Sequence, residues 1–403
     1  MTSEERRAER RARREAERIR KRVAKTSQNY TTATVFTYYH AVEAYRNCKK
    51  NVNWKPSVQR YAALHGLKLA KMLVRVRRGS FRSKGFYTFY LYERGKMRFI
   101  QAVRIEERVV QRILCDYCLV PLLSSTFIFD NGASLIDKGY HFTVKRLRQH
   151  LTKYIRDFGL EGYVLIFDFH DFFASINHER VKEIVRAYII DPQLADLTCY
   201  FVDCFDGNVG LGLGSQVSQI LGLAFVSMID HYTKEVLGIK AYGRYNDDGY
   251  LIHPSKTYLQ FCMMKIGELA SSIGLCINWK KTHIIKLSHG FTFIKKRFIP
   301  TRTGRLIMKP SKLSIKAERK RLRKLKSRVE RGLMTEEDVW QSFQSVRAYL
   351  KMGNSWKGIV GLSNYYAHLF GYSSFGEMRK LYERNLPVCQ QNSIMVSGNL
   401  TTE

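Results

Sequence analysis

Acidic residues are scarce beside basic ones: 35 Asp+Glu stand against 68 Lys+Arg in 403 residues, a formal charge of +33. That imbalance argues against cationic partners and predicts a polyanionic one. Cysteine is also sparse, with eight in the chain, too few for a disulfide scaffold. Cys115 and Cys118 have CxxC spacing, yet no second CxxC or HxxxH completes a zinc site. In VVQRILCDYCLVPLL they read as two small buried residues on a helix. No apolar run approaches the roughly 18 residues needed to span a bilayer. The first residues are charged and form no apolar h-region, so a secretory signal is not expected. The expectation is a cytoplasmic, reduced protein with no membrane partner.

What is present is a core. Hydrophobic residues make up 45% and aromatics 13% of the chain, which excludes wholesale disorder, and the length suggests two or three structural units. Residues 1–26 hold eleven Arg/Lys and five Glu with almost nothing apolar, a solvated helix or a disordered arm. A helical stretch runs from Glu106 to Leu123. From 161 to 300 strands alternate with helices: YVLIFDF (163–169) is an apolar run of strand length, and HERVKEIVR (178–186) is helical. Gln216 to Leu237 reads as a long apolar helix after a glycine cluster. GRYNDDGYLI (243–252) reads as strand, tight turn, strand. Beyond 300 the chain is helical. Residues 309–331 carry eleven basic and two acidic residues, yet Leu322, Leu325 and Val329 keep helical spacing. Val339, Phe343, Val346 and Leu350 line one face of a further helix, and the residues from about Asn385 are polar and expected to fray.

Three aspartates carry the chemistry. Asp168 ends an apolar strand in FDFHDFF, and Asp247 and Asp248 sit at a hairpin tip in YNDD. A carboxylate beside a buried strand is costly unless paired, protonated or metal-bound, and adjacent carboxylates repel unless a cation lies between them. If the two elements neighbour each other in one sheet, their acids can hold two divalent cations about 4 Å apart, as in phosphoryl and nucleotidyl transfer. Hard oxygen ligands suit Mg²⁺. Taken singly, an Asp-Asp turn and a strand-end Asp are ordinary structure; their combination with the intervening glycine-rich segment points to a site.

Seven ordered blocks over about residues 40–370 resemble the reverse transcriptase family. FDFHDFFASI (167–176) is similar to motif A, GLGLGSQVSQ (210–219) to motif B and YNDD (245–248) to the YxDD of motif C. SIGLCINWKKT (272–282) resembles motif D and HGFTFIKKRF (289–298) the primer-gripping hairpin. GKMRFI (95–100) resembles the fingers motif, and residues 107–147 resemble fingers and upper-palm sequence. The resemblance implies an α+β right-hand polymerase: fingers, an antiparallel-sheet palm backed by helices, and a helical thumb. Its expected parts are a basic arm at 1–30, fingers and upper palm at 31–160, palm at 161–300, thumb at 301–372 and a tail at 373–403. Asp168, Asp247 and Asp248 would be catalytic, and with Phe169 would form the metal site for two Mg²⁺, with Mn²⁺ as a substitute. Lys96, Arg98, Phe173, Leu213, Gly214, Gln219 and Lys281 would contact the nucleotide. Phe173 takes the steric-gate position, where an aromatic ring would collide with a 2′-hydroxyl. Gly210, Gly212 and Gly214 would let backbone approach a nucleotide closely. Tyr245, Lys320, Arg323 and Lys324 would meet template and primer.

Departures from the family pattern carry information too. Leu213 stands where many members have Gln, and Ser218–Gln219 replaces Ser-Pro. Both resemble the enzymes of diversity-generating retroelements, which implies error-prone copying at template adenines. Gly212 and Ser215 depart from that group's Pro and Asn. Asn246 is an unusual polar choice inside YxDD, and Phe-Ile-Lys replaces Phe-Leu-Gly at 293–295. Prophage-encoded and phage-defence members share this texture. The stretch beyond 300 suits a helical thumb, so no RNase H or integrase domain is expected, and no Cys/His endonuclease signature is seen. The implied partners are an RNA template, a DNA or RNA primer, dNTPs and a small basic accessory protein. A reading of another class is a catalytically silent, maturase-like RNA-binding protein, against which the complete aspartate set argues.

Overall fold

The computed structural model describes residues 30–93, 96–310 and 312–384, together with scattered residues between 5 and 21. Much of the expected basic arm, and the tail beyond Arg384, lie outside the described residues. Contacts divide the chain into two compact units: Met1–Phe158 with Gly162–Ile284, and Gly159–Glu161 with Ile285–Glu403.

The first unit is built round one core. Leu69, Val109 and Leu114 from the segment expected as fingers join Leu165, Phe167, Leu221 and Phe225 from the palm segment in one buried cluster. The segments expected as fingers and palm therefore share one compact unit, the helices before residue 160 burying apolar faces in that common core. The helical stretch predicted from Glu106 runs as helix Ile105–Leu114, a π-helical turn Cys115–Leu119 and helix Val120–Leu123. Cys115 and Cys118 are fully buried in that turn, and burial pushes the Cys118 thiol up to about 12. Both are packing residues.

Ahead of this helix, β1 (Tyr87–Glu93) and β2 (Lys96–Ala102) form an antiparallel hairpin. The main sheet comprises β3 (Tyr163–His170), β4 (Tyr242–Tyr245), β5 (Asp248–His253) and β6 (Cys276–Ile277) in the order β4-β5-β3-β6, with β7 (His283–Lys286) also on β3. The β4–β5, β5–β3 and β3–β6 pairings are all antiparallel. Helix Gln216–His231 is apolar nearly all round, as a helix sunk in a core must be. Its N-cap is Ser215, whose hydroxyl accepts from the Ser218 N–H.

In the second unit β8 (Phe291–Phe293), β9 (Lys296–Pro300) and β10 (Leu306–Pro310) form an antiparallel sheet. These strands fall in the compact unit that begins at Ile285, whereas the expected palm segment runs to 300. The β8–β9 turn sets Ile294 and Lys295 at φ 41° and 65°, a left-handed pair that a β-branched residue adopts only under constraint. Tyr349 supplies it: its hydroxyl donates to the Lys295 carbonyl (3.0 Å), and the buried Lys296 ammonium donates to the Tyr349 carbonyl (2.8 Å). Burial without a counter-ion lowers Lys296 to about 8.

Helices Lys312–Glu330, Glu336–Lys351, Trp356–Leu369 and Phe375–Arg384 complete this unit. Leu322, Val339, Phe343, Leu350 and Met378 share its core, with Leu325, Val329 and Val346 packed against it. The stripe read from spacing is the buried face. Met378 lies on helix Phe375–Arg384, within the segment expected as a partly disordered tail. Lys320, Arg323 and Lys324 are exposed on the opposite side of helix Lys312–Glu330.

The two faces of that helix make separable predictions. Leu322→Ala should cost about 2–5 kcal/mol through a core cavity, read as a lowered melting temperature. Lys320→Ala should change stability by less than about 0.5 kcal/mol and instead reduce the salt dependence of nucleic-acid binding by about one unit of slope.

Candidate active site

The register of the main sheet assembles the site. Antiparallel pairing of β3 with β5 puts Asp168 directly opposite Asp248. The two-residue turn from β4 to β5 places Asp247 beside them, with Asn246 at φ 54°. Asn tolerates that left-handed conformation better than other non-glycine residues, a local reason for the polar residue inside YNDD. Gly249 follows because a Cβ there would lie 2.2 Å from the Phe167 ring, which packs directly beneath the hairpin.

Asp168 is 3% exposed and both its oxygens are engaged. The Asn278 amide donates to Oδ1 (3.0 Å) and the Lys281 ammonium to Oδ2 (2.6 Å). The Asn278 backbone N–H also donates to the Asp168 carbonyl (2.8 Å), which holds the segment after β6 against β3. Burial, then the neighbouring charges of Asp247 and Asp168, push the Asp248 carboxyl up to about 7. Asp247 is raised as well, by burial first and by Asp168 among its neighbours, while Lys281 and Arg98 pull it back. Lys281 is raised: burial would lower it, but the hydrogen bond to Asp168 and the three carboxylates outweigh that. Like charges are crowded here beyond what one ammonium balances.

Among the described residues no three Asp, Glu, His or Cys side chains stand ready-made as a metal cage. The donor set still fits a hard divalent cation: it is all oxygen, short of positive charge, and already draws one cation to Asp168. Asp168, Asp247 and Asp248 are the residues that would hold it. The Phe169 ring is buried against Phe167 and Phe172, so only its backbone could contribute.

The other predicted residues lie on several elements. Arg98 lies on β2 with its charge felt by Asp247. Phe173 is half-buried, edge-on to Phe172 at 5.0 Å, and would touch a side chain placed at Gly222. Tyr245 ends β4 and packs against the core. Leu213 and Gly214 dock on β2: the Gln101 N–H donates to the Leu213 carbonyl (3.0 Å), and Gly214, at φ 118°, has the Gln101 carbonyl 2.9 Å from where a Cβ would be. What Gly214 makes room for in this conformation is the chain's own β2. Gln219 lines a polar cavity of about 330 Å³ with Asn47, Lys50, Arg108, Arg112 and Gln216. Lys96 is on β2, but its side chain lies outside the described residues. Lys320, Arg323 and Lys324 belong to the second unit.

Sequence reasoning missed Asn278, Asp230 and Arg244. The available signal was a lone charge in an apolar run: Arg244 in a buried strand and Asp230 near the end of an apolar helix.

A carboxyl titrating near neutrality has a pH signature. Asp248 is raised in the folded state above its unfolded value, so its contribution to stability is present at low pH and lost as pH rises through about 7. Metal-free protein should therefore melt at higher temperature as pH falls from about 8 to about 5, wherever other groups are unchanged. Saturating Mg²⁺ should flatten that slope, and Asp248→Asn should lack it in EDTA. A metal-free melting curve indifferent to pH and to this substitution would contradict the assignment.

A family model described as reverse transcriptase (RNA-dependent DNA polymerase) matches residues 81–313, more than half of the chain. No curated protein matches the chain in sequence. Among solved structures, apo telomerase from Candida tropicalis truncated from its C-terminal domain is 15% identical, with a TM-score of 0.41 over 56% of this chain and 55% of that one. Apo telomerase from Candida tropicalis is 13% identical, with a TM-score of 0.42 over 59% and 52%. The chain thus spans about half the length of these structures. With the family model covering β3, β5 and the β4–β5 turn, which together carry the three aspartates, the chain belongs to the reverse transcriptase (RNA-dependent DNA polymerase) family.

Proposed function

We propose that the protein is an RNA-directed DNA polymerase that copies an RNA template into cDNA by two-metal-ion nucleotidyl transfer. The observation that carries this reading is the register that sets Asp168 opposite Asp248 with Asp247 at the adjoining turn. Pure RNA binding needs no crowded carboxylates where a phosphate must approach.

The chain's own residues divide the work. Asp168, Asp247 and Asp248 would hold two Mg²⁺, whose chemistry would be activation of the primer 3′-hydroxyl and charge stabilisation at the triphosphate. Lys281, half-exposed and paired with Asp168, would donate to triphosphate oxygens once its carboxylate partner is otherwise engaged. Arg98 adds a forked donor for the same oxygens. Phe173, held edge-on by Phe172, stands as a fixed wall against a 2′-hydroxyl. Lys320, Arg323 and Lys324 bind backbone phosphates without reading bases. The partners are an RNA template, a primer and dNTPs, with a small basic accessory protein in the mutagenic setting.

Within this activity we infer a role in a diversity-generating retroelement, with errors at template adenines. Leu213 supports it: an aliphatic side chain cannot offer the hydrogen bonds of the Gln found in many relatives. A gene neighbourhood lacking two near-identical repeats that differ at adenines would favour phage defence instead.

Primer extension on an RNA template with dNTPs and Mg²⁺ tests the activity. Asp168→Asn and Asp247→Asn should each lower kcat by about 10³-fold or more while the protein stays folded. Extension surviving either change would sink the assignment, and tight RNA binding without any incorporation by the wild type would establish the silent RNA-binding reading. Phe173→Ala should admit rNTPs, and Leu213→Gln should lower adenine misincorporation; unchanged error rates would remove the basis for the mutagenic role.

A further inference from the structure

The hairpin that carries Asp247 and Asp248 is held from behind by a fully buried ion pair. Arg244 on β4 and Asp230 on helix Gln216–His231 are both 0% exposed. Arg244 Nε donates to Asp230 Oδ1 (2.8 Å) and Nη2 to Oδ2 (2.6 Å), a forked pairing. The Tyr242 hydroxyl donates to the same Oδ1 (2.6 Å). That leaves Arg244 Nη1, which donates to the backbone carbonyl of Asn246 at 2.7 Å.

That carbonyl is the informative contact. It belongs to the peptide joining Asn246 to Asp247, in a turn where Asn246 is already confined to φ 54°. Capturing it fixes the plane of that peptide and with it the direction in which Asp247 leaves the turn. The main chain of Arg244 is pinned as well. Its N–H donates to the Asp130 carbonyl (3.1 Å), and the Gly132 N–H donates to the Arg244 carbonyl (2.9 Å). The Asp130 carboxylate is anchored in turn by Arg146 (2.5 Å) and Lys234 (2.6 Å). A buried, forked pair of this kind is an expensive way to gain stability, since an apolar pair of equal volume would often serve as well. Its third bond, to the turn, is what an apolar pair could not supply.

We propose that Arg244, oriented by Asp230, is a positioning residue for the reaction: it sets the 246–247 peptide so that Asp247 points at the metal site. This rests on the polymerase reading of the three aspartates. It also ties the helix that starts at the glycine-rich loop to the turn bearing the acids. Removing the donor frees the turn to rock, and a misplacement of about 1 Å at reacting groups can cost about 10²-fold in rate.

The test uses the full chain and two variants, with Mn²⁺ as the probe and free-ion EPR as the binding readout. Arg244→Lys keeps the charge, but one ammonium cannot reach both Asp230 oxygens and the Asn246 carbonyl. Arg244→Met with Asp230→Leu removes both charges together and so leaves none buried and unpaired. In each folded variant Mn²⁺ binding should weaken severalfold and kcat fall about 10²-fold, while KM for dNTP stays within about twofold. Folded variants that bind Mn²⁺ and turn over like the wild type would overturn the proposal. If either fails to fold, a crystal structure of the unaltered protein with Mn²⁺ decides: Arg244 Nη1 must remain on the Asn246 carbonyl, and its departure would overturn the proposal. Wild-type protein that binds Mn²⁺ tightly, loses that binding in the variants and never extends a primer would refute the polymerase reading and leave the clamp standing.

Discussion

Three neighbouring carboxylates, Asp168, Asp247 and Asp248, are the constraint on which the surrounding site depends. The sheet register alone brings Asp168 opposite Asp248, and burial makes their mutual repulsion stronger than it would be in water. Everything near them offsets that repulsion or resists it. Lys281 and Asn278 occupy the Asp168 oxygens, Arg98 adds a more distant positive charge felt by Asp247, and the Asp248 carboxyl drifts toward neutrality. None of these is a full remedy; a divalent cation would be, and the same charge deficit would favour its binding.

The backbone resists in a different way. Phe167 beneath Gly249, the left-handed Asn246 and the Arg244–Asp230 pair leave the Asn246–Asp247 turn little freedom to relax away from its own charge. Carboxylates free to splay apart would lower the electrostatic cost and would lose the arrangement that the proposed metal binding needs. Rigidity and strain are thus two aspects of one arrangement. The second unit applies the opposite charge to a simpler task. Its basic helix buries Leu322 and exposes Lys320, Arg323 and Lys324, a surface suited to a phosphate backbone.

Much of this was legible in the sequence, for reasons that can be named. An apolar strand ending in Asp168 and a turn of Asn-Asp-Asp-Gly are local patterns, and antiparallel pairing was the one further step needed to join them. The stripe Leu322, Leu325, Val329 gave the buried face of the basic helix by period alone. The boundary between units was not legible, because whether β8–β10 belong with the strands before or the helices after depends on tertiary contacts. Nor were Arg244 and Asp230, which are 14 residues apart and meet only once helix and strand are packed. The role of Gly214 was half legible: a glycine was needed for close approach, but the approaching group is the Gln101 backbone.

The central claim is that Asp168, Asp247 and Asp248 hold two divalent cations, and that these displace Lys281 from Asp168. The most direct measurement is a crystal structure with Mn²⁺ and a non-hydrolysable dNTP analogue, phased to reveal anomalous scatterers. Two Mn²⁺ peaks among the three carboxylates, with the Lys281 ammonium moved off Asp168 Oδ2, are the predicted result. Saturating Mn²⁺ that leaves Lys281 on Asp168 and no peak beside Asp247 would contradict the account.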